Sequence, residues 1–524
     1  MSTGRASARL PAALWAGLAG AALLVLAPVA ALVSSALRPE TDVWAHLAAT
    51  RLPGMAVATV VLVTVVAVAS AVLGTALAWL VAAHRFPGRN LLVWLLALPL
   101  AVPAYVSGFV WVDTFGVRNL GTAAVVLTLS LYPYVYVLAL AAFRDQPAGA
   151  WNSARTLGCP RGAAFRRVAL PAARPAVLAG SVLVALEVLT DVGTVRLFNV
   201  QTVADGVFRV WFGLAQREAA TELAGLLLLA AAALLLAERR ATRRSASGTA
   251  AGGRDTRRME PVRLAGAGWW AVAGAAGVVA VALVFPVARL VAWAAEAVGR
   301  GATASAAGGV GHHLGSTVRV TVATVLACTV VGVVVALATR WSRGRGARAL
   351  ATSTTLGYGL PGPVIALGVL VVLAAVDRTG WLPRGTLLVG SFLGLVVALV
   401  VRYLALAVKP AEQAVGRVGR SAEDAARMLG AGPGRVVGRV QLPLARGGLA
   451  VAAALVALDV VKELPATLLL RPFGVDTLPV WVWQASSDSR WAEAGLPSLV
   501  LVVVAAVPTA FLLRTVLRGR SVAW

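Results

Sequence analysis

Long apolar stretches separated by short polar segments make up most of this chain. A helix needs about 20 apolar residues to cross about 30 Å of hydrocarbon. Stretches of that length predict spanning helices, because lipid forces every backbone group into internal hydrogen bonds. Twelve of them occur, near residues 10–36, 55–83, 91–112, 120–142, 174–192, 221–237, 264–293, 316–338, 350–376, 385–408, 446–464 and 494–517. The pattern predicts an all-α polytopic membrane protein with about twelve transmembrane helices.

Composition agrees with this interpretation and excludes several other classes of protein. Apolar residue types make up 59% of the 524 residues, and only 13% are charged, about half of the ~25% that soluble domains carry. A soluble enzyme or a disordered protein is therefore excluded. Two cysteines are too few for a secreted disulfide scaffold.

The net charge of +25 is typical of nucleic-acid binders, but its distribution indicates a different cause. With the N-terminus inside, the predicted cytoplasmic segments hold 32 of the 47 Lys and Arg residues and 7 of the 22 Asp and Glu residues. Positive charge on cytoplasmic loops sets membrane orientation. We therefore expect both termini in the cytoplasm, contact with membrane lipid headgroups, and no nucleic-acid partner.

Two polar segments match each other at a fixed spacing. The run NSARTLG at residues 152–158, followed by Leu170-Pro171, recurs as DAARMLG at residues 424–430, followed by Leu442-Pro443, at an offset of 272 residues. A repeat of this kind predicts a duplicated structural unit.

Further pairs at similar offsets extend the repeat. Gly74 corresponds to Gly332 and Pro103 to Pro361, each 258 residues apart. Two halves of six spans each enter the membrane from the same side and form a parallel repeat about an axis along the membrane normal. We expect a first half at residues 1–237, a basic cytoplasmic linker at 238–263, and a second half at 264–524.

The duplicated polar segment predicts a short helix–turn–helix on the inner face. Helix-forming residues fill its first part, and Gly158 or Gly430 suits the position just after a helix end. A second short helix follows, and the Leu-Pro pair is expected to break it before the next span. The alternative is an amphipathic or re-entrant loop without a partner, and the duplication argues against it.

This segment resembles the coupling loop, or "EAA" loop, of the permease subunits of binding-protein-dependent ABC importers. In that family the loop docks into a groove of the ATPase subunit, so the resemblance implies a pair of ABC ATPase subunits as partners. In the first copy Asn152 and Ser153 stand where the family has an acid and an alanine; Asp424 is closer to the pattern. The matching coupling-loop residues are Asn152, Ala154, Gly158, Leu170, Pro171, Asp424, Ala426, Gly430, Leu442 and Pro443.

Four carboxylates recur at the same offset near the ends of predicted spans five and eleven. Glu187 and Asp191 correspond to Asp459 and Glu463 at an offset of 272 residues. Within each pair the spacing is i, i+4, which puts both on one helix face. Charges at membrane depth usually mark function, so the set could ring the outer mouth of a translocation pathway. The alternative is pairing with Lys462 or Arg196 at the water interface.

The residues around these carboxylates indicate a substrate through resemblance. The runs EVLTDVGTV at 187–195 and DVVKELPAT at 459–467 look like the fused permeases of ferric-iron ABC importers. In that family an external solute-binding protein delivers ferric ion. Related fused permeases carry thiamine, polyamines or phosphonates. His312 and His313 lie in a predicted outer loop, where solvated side chains are the more usual case, so the metal ligands stay unknown.

The chain has no ATPase motif of its own. A P-loop requires a lysine after glycine, and neither Lys409 nor Lys462 has that context. We expect a transport subunit of the bacterial inner or plasma membrane, not an enzyme; it binds no cofactor, and ATP is used by a partner. A proton-coupled secondary transporter is the alternative. An intramembrane enzyme is disfavoured, because the chain contains no His-Glu-x-x-His or Gly-x-Ser-x-Gly motif.

Overall fold

A computed structural model of the chain describes residues 12–36, 41–213, 216–246, 259–266, 268–299, 303–342, 344–380, 383 and 387–517. Residues 10–11 of the predicted first span, 385–386 of the tenth and 247–258 of the predicted linker lie outside the described residues. The described part of the linker includes a two-residue strand that pairs in parallel with a second one: β1 (His84–Arg85) with β2 (Val262–Arg263). Helices make up most of the rest, so the predicted all-α fold is confirmed.

Twelve helices of the described residues begin before the linker, and the last of them extends into it. They are α1 (Ala12–Ala36), α2 (Thr41–Thr50), α3 (Leu52–Ala83), α4 (Arg89–Leu95), α5 (Ala104–Phe115), α6 (Leu120–Arg144), α7 (Ala148–Thr156), α8 (Arg161–Ala164), α9 (Leu170–Thr190), α10 (Gly193–Leu197), α11 (Val203–Phe208) and α12 (Arg217–Ala246).

Another twelve described helices follow it. They are α13 (Gly268–Val279), α14 (Phe285–Gly299), α15 (Thr303–Trp341), α16 (Arg345–Ser353), α17 (Gly362–Arg378), α18 (Phe392–Gly416), α19 (Arg420–Met428), α20 (Pro433–Val436), α21 (Leu442–Val461), α22 (Pro465–Leu470), α23 (Leu478–Ser487) and α24 (Trp491–Leu517).

Ten of the predicted spans are unbroken helices or helices joined through a π turn, but two are not straight. The predicted spans at 91–112 and 350–376 each consist of two helical segments, bent by 89° in the first half and by 119° in the second. The described residues therefore contain ten spans, or twelve if each bent pair crosses the membrane. The prediction of about twelve transmembrane helices is met when each bent pair counts as one span.

Proline explains both breaks. Pro103 precedes α5 and Pro361 precedes α17, each with extended backbone (ψ 141° and 138°). Proline lacks the N–H that a continuous helix would need, and it disfavours helical backbone in the residue before it. Two tyrosines of α6 fasten the first bent segment, because Tyr132 donates to the Leu96 carbonyl at 2.8 Å and Tyr136 to the Val93 carbonyl at 3.1 Å.

The expected break at the Leu-Pro pairs is also absent. Helix α8 continues through a π turn at Phe165–Ala169 into α9, and α20 continues through Val437–Gln441 into α21. The π turn comes immediately before Leu170-Pro171 and Leu442-Pro443, so each proline lies in the first turn of the following helix. Proline lacks an N–H donor, and the π turn immediately before it is where the continuous helix departs from the regular α-helical hydrogen-bond pattern.

The internal repeat is visible in matching contacts. A Cβ on Gly74 would lie 2.9 Å from the Tyr132 carbonyl oxygen, and one on Gly332 would lie 3.1 Å from the Ala407 carbonyl carbon. Both glycines therefore allow close approach of the second span to the fourth, α3 to α6 and α15 to α18. In each half a threonine of the second span also bonds a later helix. The Thr59 hydroxyl of α3 accepts from the Val203 N–H of α11 at 3.0 Å, and the Thr317 hydroxyl of α15 accepts from the Leu478 N–H of α23 at 2.8 Å.

The chain divides into two compact units that do not follow the order of the sequence. One comprises Met1–Pro39, Gly308–Val480 and Val507–Trp524, and the other comprises Glu40–Ala307 and Trp481–Ala506. In the first unit α1 packs on α16 and α17; in the second α14 packs on α5. The halves at 1–237 and 264–524 stay a prediction about the repeat.

Candidate functional site: the coupling loops and the carboxylate pairs

Each duplicated polar loop begins with a short helix that ends at a glycine, α7 in the first half and α19 in the second. We call these two the coupling helices. Gly158 and Gly430 have φ of +79° and +78°. The N–H of each glycine donates three residues back, to Arg155 at 3.1 Å and Arg427 at 2.9 Å, and the next N–H donates five residues back. This is a Schellman helix end, which requires left-handed backbone that glycine adopts without strain.

The tips of both coupling helices expose large apolar side chains. Leu157 is 86% exposed, and Met428 and Leu429 are each 88% exposed. A Cβ added to Gly158 or Gly430 would meet no other atom of the chain within 4 Å. An apolar tip that projects freely from a turn is a surface that a partner protein can cover.

The remaining coupling-loop residues divide between this surface and the transmembrane helices. Asn152 and Asp424 are exposed on the coupling helices, and Ala154 and Ala426 are half-buried at equivalent positions. The Leu-Pro residues lie instead at the start of the long helices: Leu170, Pro171, Leu442 and Pro443. Pro443 is exposed there, and Leu170, Pro171 and Leu442 are half-buried.

Two of the four repeated carboxylates cap short helices. Asp191 Oδ1 accepts from the N–H groups of Thr194 and Val195 at 2.8 and 3.0 Å. Glu463 accepts from the N–H groups of Ala466 and Thr467 at 2.8 and 2.9 Å. A carboxylate at a helix start satisfies donors that have no partner within the helix. These side chains therefore stabilise the first turns of α10 and α22.

The other two carboxylates have different surroundings. Glu187 is half-buried near the end of α9. Asp459 Oδ1 lies 3.2 Å from Lys462 Nζ, which is one of the two pairings that the sequence offered as an alternative. The Tyr358 hydroxyl also donates to Asp459 at 3.5 Å. Arg196, the other anticipated partner, lies 3.1 Å from Asp205.

Arg402, to which the sequence pattern gave no role, lies in the middle of α18. Its Nη1 donates to Glu463 Oε1 at 3.1 Å, and both side chains are nearly fully buried. A Cβ on Gly362 would come within 1.8 Å of the same Nη1, so the glycine leaves room for the guanidinium. A single arginine within an apolar span was the signal from which such a partner could have been inferred.

The expected outer loop around His312 and His313 is in fact part of α15. His313 Nδ1 lies 2.8 Å from the Asp476 carbonyl oxygen, which places this ring against the segment after α22. Among the residues that the structure describes, no group of three or more His, Cys, Asp or Glu side chains is placed to hold a metal ion.

Comparison with known proteins identifies the family. Residues 70–237 and 328–518 match the model of the binding-protein-dependent transport system inner membrane component, once in each half. The Fe(3+)-transport system permease protein FbpB 2 of Haemophilus influenzae is 26% identical over 461 residues, which are 87% of this chain and 88% of that protein.

Two further relatives match one part of the chain. A probable molybdenum ABC transporter permease of Haloferax volcanii is 34% identical over 36% of this chain and 76% of its own length. The sulfate transport system permease CysT of Salmonella typhimurium is 30% identical over 25% of this chain and 53% of its own length. The two family matches together cover more than half of the residues, and the chain therefore belongs to the inner membrane components of binding-protein-dependent transport systems, the permease subunits of ABC importers.

Proposed function

We propose that this chain is the permease of an importer for ferric iron, which an external solute-binding protein delivers. One observation carries the substrate assignment: the similarity to an Fe(3+) permease extends over 87% of this chain, both halves included. The molybdenum and sulfate permeases match only 36% and 25% of it. Family membership also favours ATP over a proton gradient as the energy source, and a separate subunit would hydrolyse that ATP.

The two coupling helices are, in this proposal, the docking sites for a pair of ATPase subunits. Their apolar tips at Leu157, Met428 and Leu429 are exposed, and the glycine turns project into open space. ATP-driven closure of the pair would move the coupling helices, and the attached spans would open the pathway inward. This arrangement requires the loops, and with them both termini, on the cytoplasmic side, in agreement with the positive charge of these segments.

Glycine substitutions test the docking sites. Asp tolerates left-handed backbone better than most residues, and a Cβ at Gly158 or Gly430 meets no atom of this chain. We expect Gly158→Asp and Gly430→Asp to insert and fold normally but to abolish uptake in reconstituted vesicles. Gly116→Asp is the matched control, because Gly116 has φ +67° and open space around it but lies outside the coupling loops.

Normal uptake in both coupling-loop variants would contradict the docking assignment. Loss of uptake in the Gly116→Asp variant as well would show that the backbone, not docking, explains the defect.

A competition assay tests the substrate. Vesicles that contain the permease, its ATPase and its binding protein would be supplied with radioactive ferric ion and ATP. An excess of one competitor would be added: unlabelled ferric ion, sulfate, molybdate, a phosphonate, thiamine or a polyamine. Ferric import that only ferric ion suppresses supports the proposal. Import of an oxyanion in place of ferric ion would reassign the substrate, but it would not contradict the docking role of the coupling loops.

The role of the carboxylates in the pathway stays a prediction. Glu187 and Asp191 lie in one compact unit, and Asp459 and Glu463 in the other. Carboxylate oxygens suit a hard cation such as ferric ion, which supports a pathway role. The capping bonds of Asp191 and Glu463 give these two side chains a structural role in addition.

A further inference from the structure

The second coupling helix, α19, is fastened to the transmembrane helices by a buried ionic cluster. Arg340, at the end of α15, donates from Nε to Glu423 Oε1 at 2.7 Å and from Nη2 to the Val418 carbonyl at 2.6 Å. Gln441, just before α21, donates to the same Glu423 oxygen at 2.8 Å. The Glu423 and Arg340 side chains are only 6% and 13% exposed. Glu423 thus joins the coupling helix to the ends of two long helices, α15 and α21.

The first coupling helix, α7, is fastened to the corresponding helices by aromatic packing. Trp151 of α7 lies 5.4 Å from Trp79 of α3, measured between ring centroids. Trp79 in turn lies 5.2 Å from Phe143 of α6 and 4.7 Å from Phe165 of the π turn before α9. Phe143 is fully buried, and the other rings are half-buried.

The two clusters occupy equivalent places in the repeat. Trp151 and Glu423 are 272 residues apart, the offset that relates the two coupling helices. Gln441 likewise corresponds to Ala169. The duplication has therefore kept the point of attachment and replaced its chemistry.

The two kinds of attachment resist motion differently. Charge-assisted hydrogen bonds of 2.6–2.8 Å depend strongly on direction. Breaking them leaves a buried carboxylate without its counter-ion. Ring contacts depend less on direction, and offset or edge-on arrangements can interchange over a range of centroid separations. The second coupling helix should move with its spans as one body, while the first can slide against its spans.

We propose that Arg340 and Glu423 are positioning residues that make the second coupling helix the rigid transmission element between the ATPase and the membrane helices. The first coupling helix, held by Trp151 and its neighbours, acts as a compliant attachment. This proposal rests on the docking role of the coupling helices stated above. It adds that the two docking sites are mechanically unequal.

A matched pair of substitutions tests the inequality. Glu423→Gln keeps the shape of the side chain and removes the charge that holds Arg340. Trp151→Leu, at the equivalent position, keeps apolar bulk and removes the ring. Each variant would be reconstituted with the ATPase and binding protein, and uptake and ATP hydrolysis would be measured in the same vesicles. We expect at least a tenfold fall in molecules imported per ATP for Glu423→Gln and less than a threefold fall for Trp151→Leu.

Hydrogen exchange on the same complexes supplies a readout of the attachment itself. We expect the amides of α19 to exchange at least tenfold faster in Glu423→Gln, with α7 unchanged. Glu423→Asp retains the charge and should recover part of both the exchange protection and the import per ATP. A purely structural role would instead lower the amount of folded protein and reduce ATP hydrolysis and uptake together.

Three results would overturn the proposal: unchanged import per ATP in Glu423→Gln, an equal loss in Trp151→Leu, or a loss of uptake that follows only the amount of folded protein. Failure of the docking role is distinguishable, because Gly158→Asp and Gly430→Asp would then both import normally. If those two variants lose uptake and Glu423→Gln does not, docking stands and the rigid attachment is refuted.

Discussion

The buried ion pair between Arg402 and Glu463 leads to a quantitative prediction about stability. Arg402→Met removes the guanidinium and keeps an unbranched apolar chain of similar length. Glu463 then loses its ionic partner but keeps the capping bonds from Ala466 and Thr467 at 2.6–2.9 Å. The variant therefore isolates the contribution of the charge on Arg402.

Removing one partner of a buried ion pair costs about 3–5 kcal/mol, because the other charge stays buried without compensation. The remaining bonds to Glu463 point to the lower end of that range. We expect Arg402→Met to lower the free energy of unfolding by about 3 kcal/mol, roughly a 150-fold change in the unfolding equilibrium. The double variant Arg402→Met, Glu463→Gln removes both charges and should recover at least half of this loss.

The assay is reversible unfolding of the purified protein in mixed micelles as the fraction of denaturing detergent increases. Arg378→Met is the control, because Arg378 is exposed at the end of α17 and bonds to the Ala374 carbonyl of its own helix. Its effect should stay within about 0.5 kcal/mol. The reasoning fails if Arg402→Met is as stable as the Arg378→Met control, or if the double variant is less stable than the single one.

Two further substitutions test the packing of the first half. In Gly180→Ala the new Cβ would lie 2.7 Å from the Val135 Cα. Such overpacking should lower the free energy of unfolding by about 1–3 kcal/mol in the same assay. Gly447→Ala is the control, because Gly447 has open space around it in the corresponding helix, and this variant should be as stable as the original protein. Tyr132→Phe removes the hydroxyl that donates to the Leu96 carbonyl. The free energy of unfolding should fall by about 1–3 kcal/mol, because that buried oxygen loses its donor. An unchanged midpoint of thermal unfolding would show that this bond does not stabilise the bent segment.

The apolar pattern predicts most of the helices because spanning length and hydropathy are set by the bilayer. It does not predict the two bends, since the mean hydropathy of a stretch of about 20 residues stays high when it contains one helix-breaking proline, such as Pro103 or Pro361. Both prolines were already visible as a repeated pair. Their identical place in the repeat, combined with the missing N–H, was the signal from which the breaks could have been inferred.

The coupling loops were more predictable than the carboxylate pairs, for a physical reason. The turn at Gly158 or Gly430 is local, so its geometry follows from a few adjacent residues. The ion pairs join distant segments: Arg402 lies 61 residues from Glu463, and Arg340 lies 83 residues from Glu423. Nothing in a single sequence selects one acidic partner for an arginine among several, and the packing of helices decides it.

The duplication separates two kinds of position, and this separation bears on how the transporter works. Positions that control the backbone perform the same task in both halves, as Gly158 and Gly430 do at helix ends and Asp191 and Glu463 do at helix starts. Several positions that join one helix to another have diverged, although the bonds accepted by Thr59 and Thr317 are kept.

Ser130 corresponds to Arg402, and Trp151 corresponds to Glu423. In the proposed mechanism, two halves with the same backbone plan would receive the motion of the ATPase subunits through different side-chain contacts. A substitution copied from one half to the other should fail wherever it changes such a connection, since the charge or ring that it introduces finds no partner in its new surroundings. The mechanical asymmetry that we propose would therefore be a property of the side chains and not of the fold.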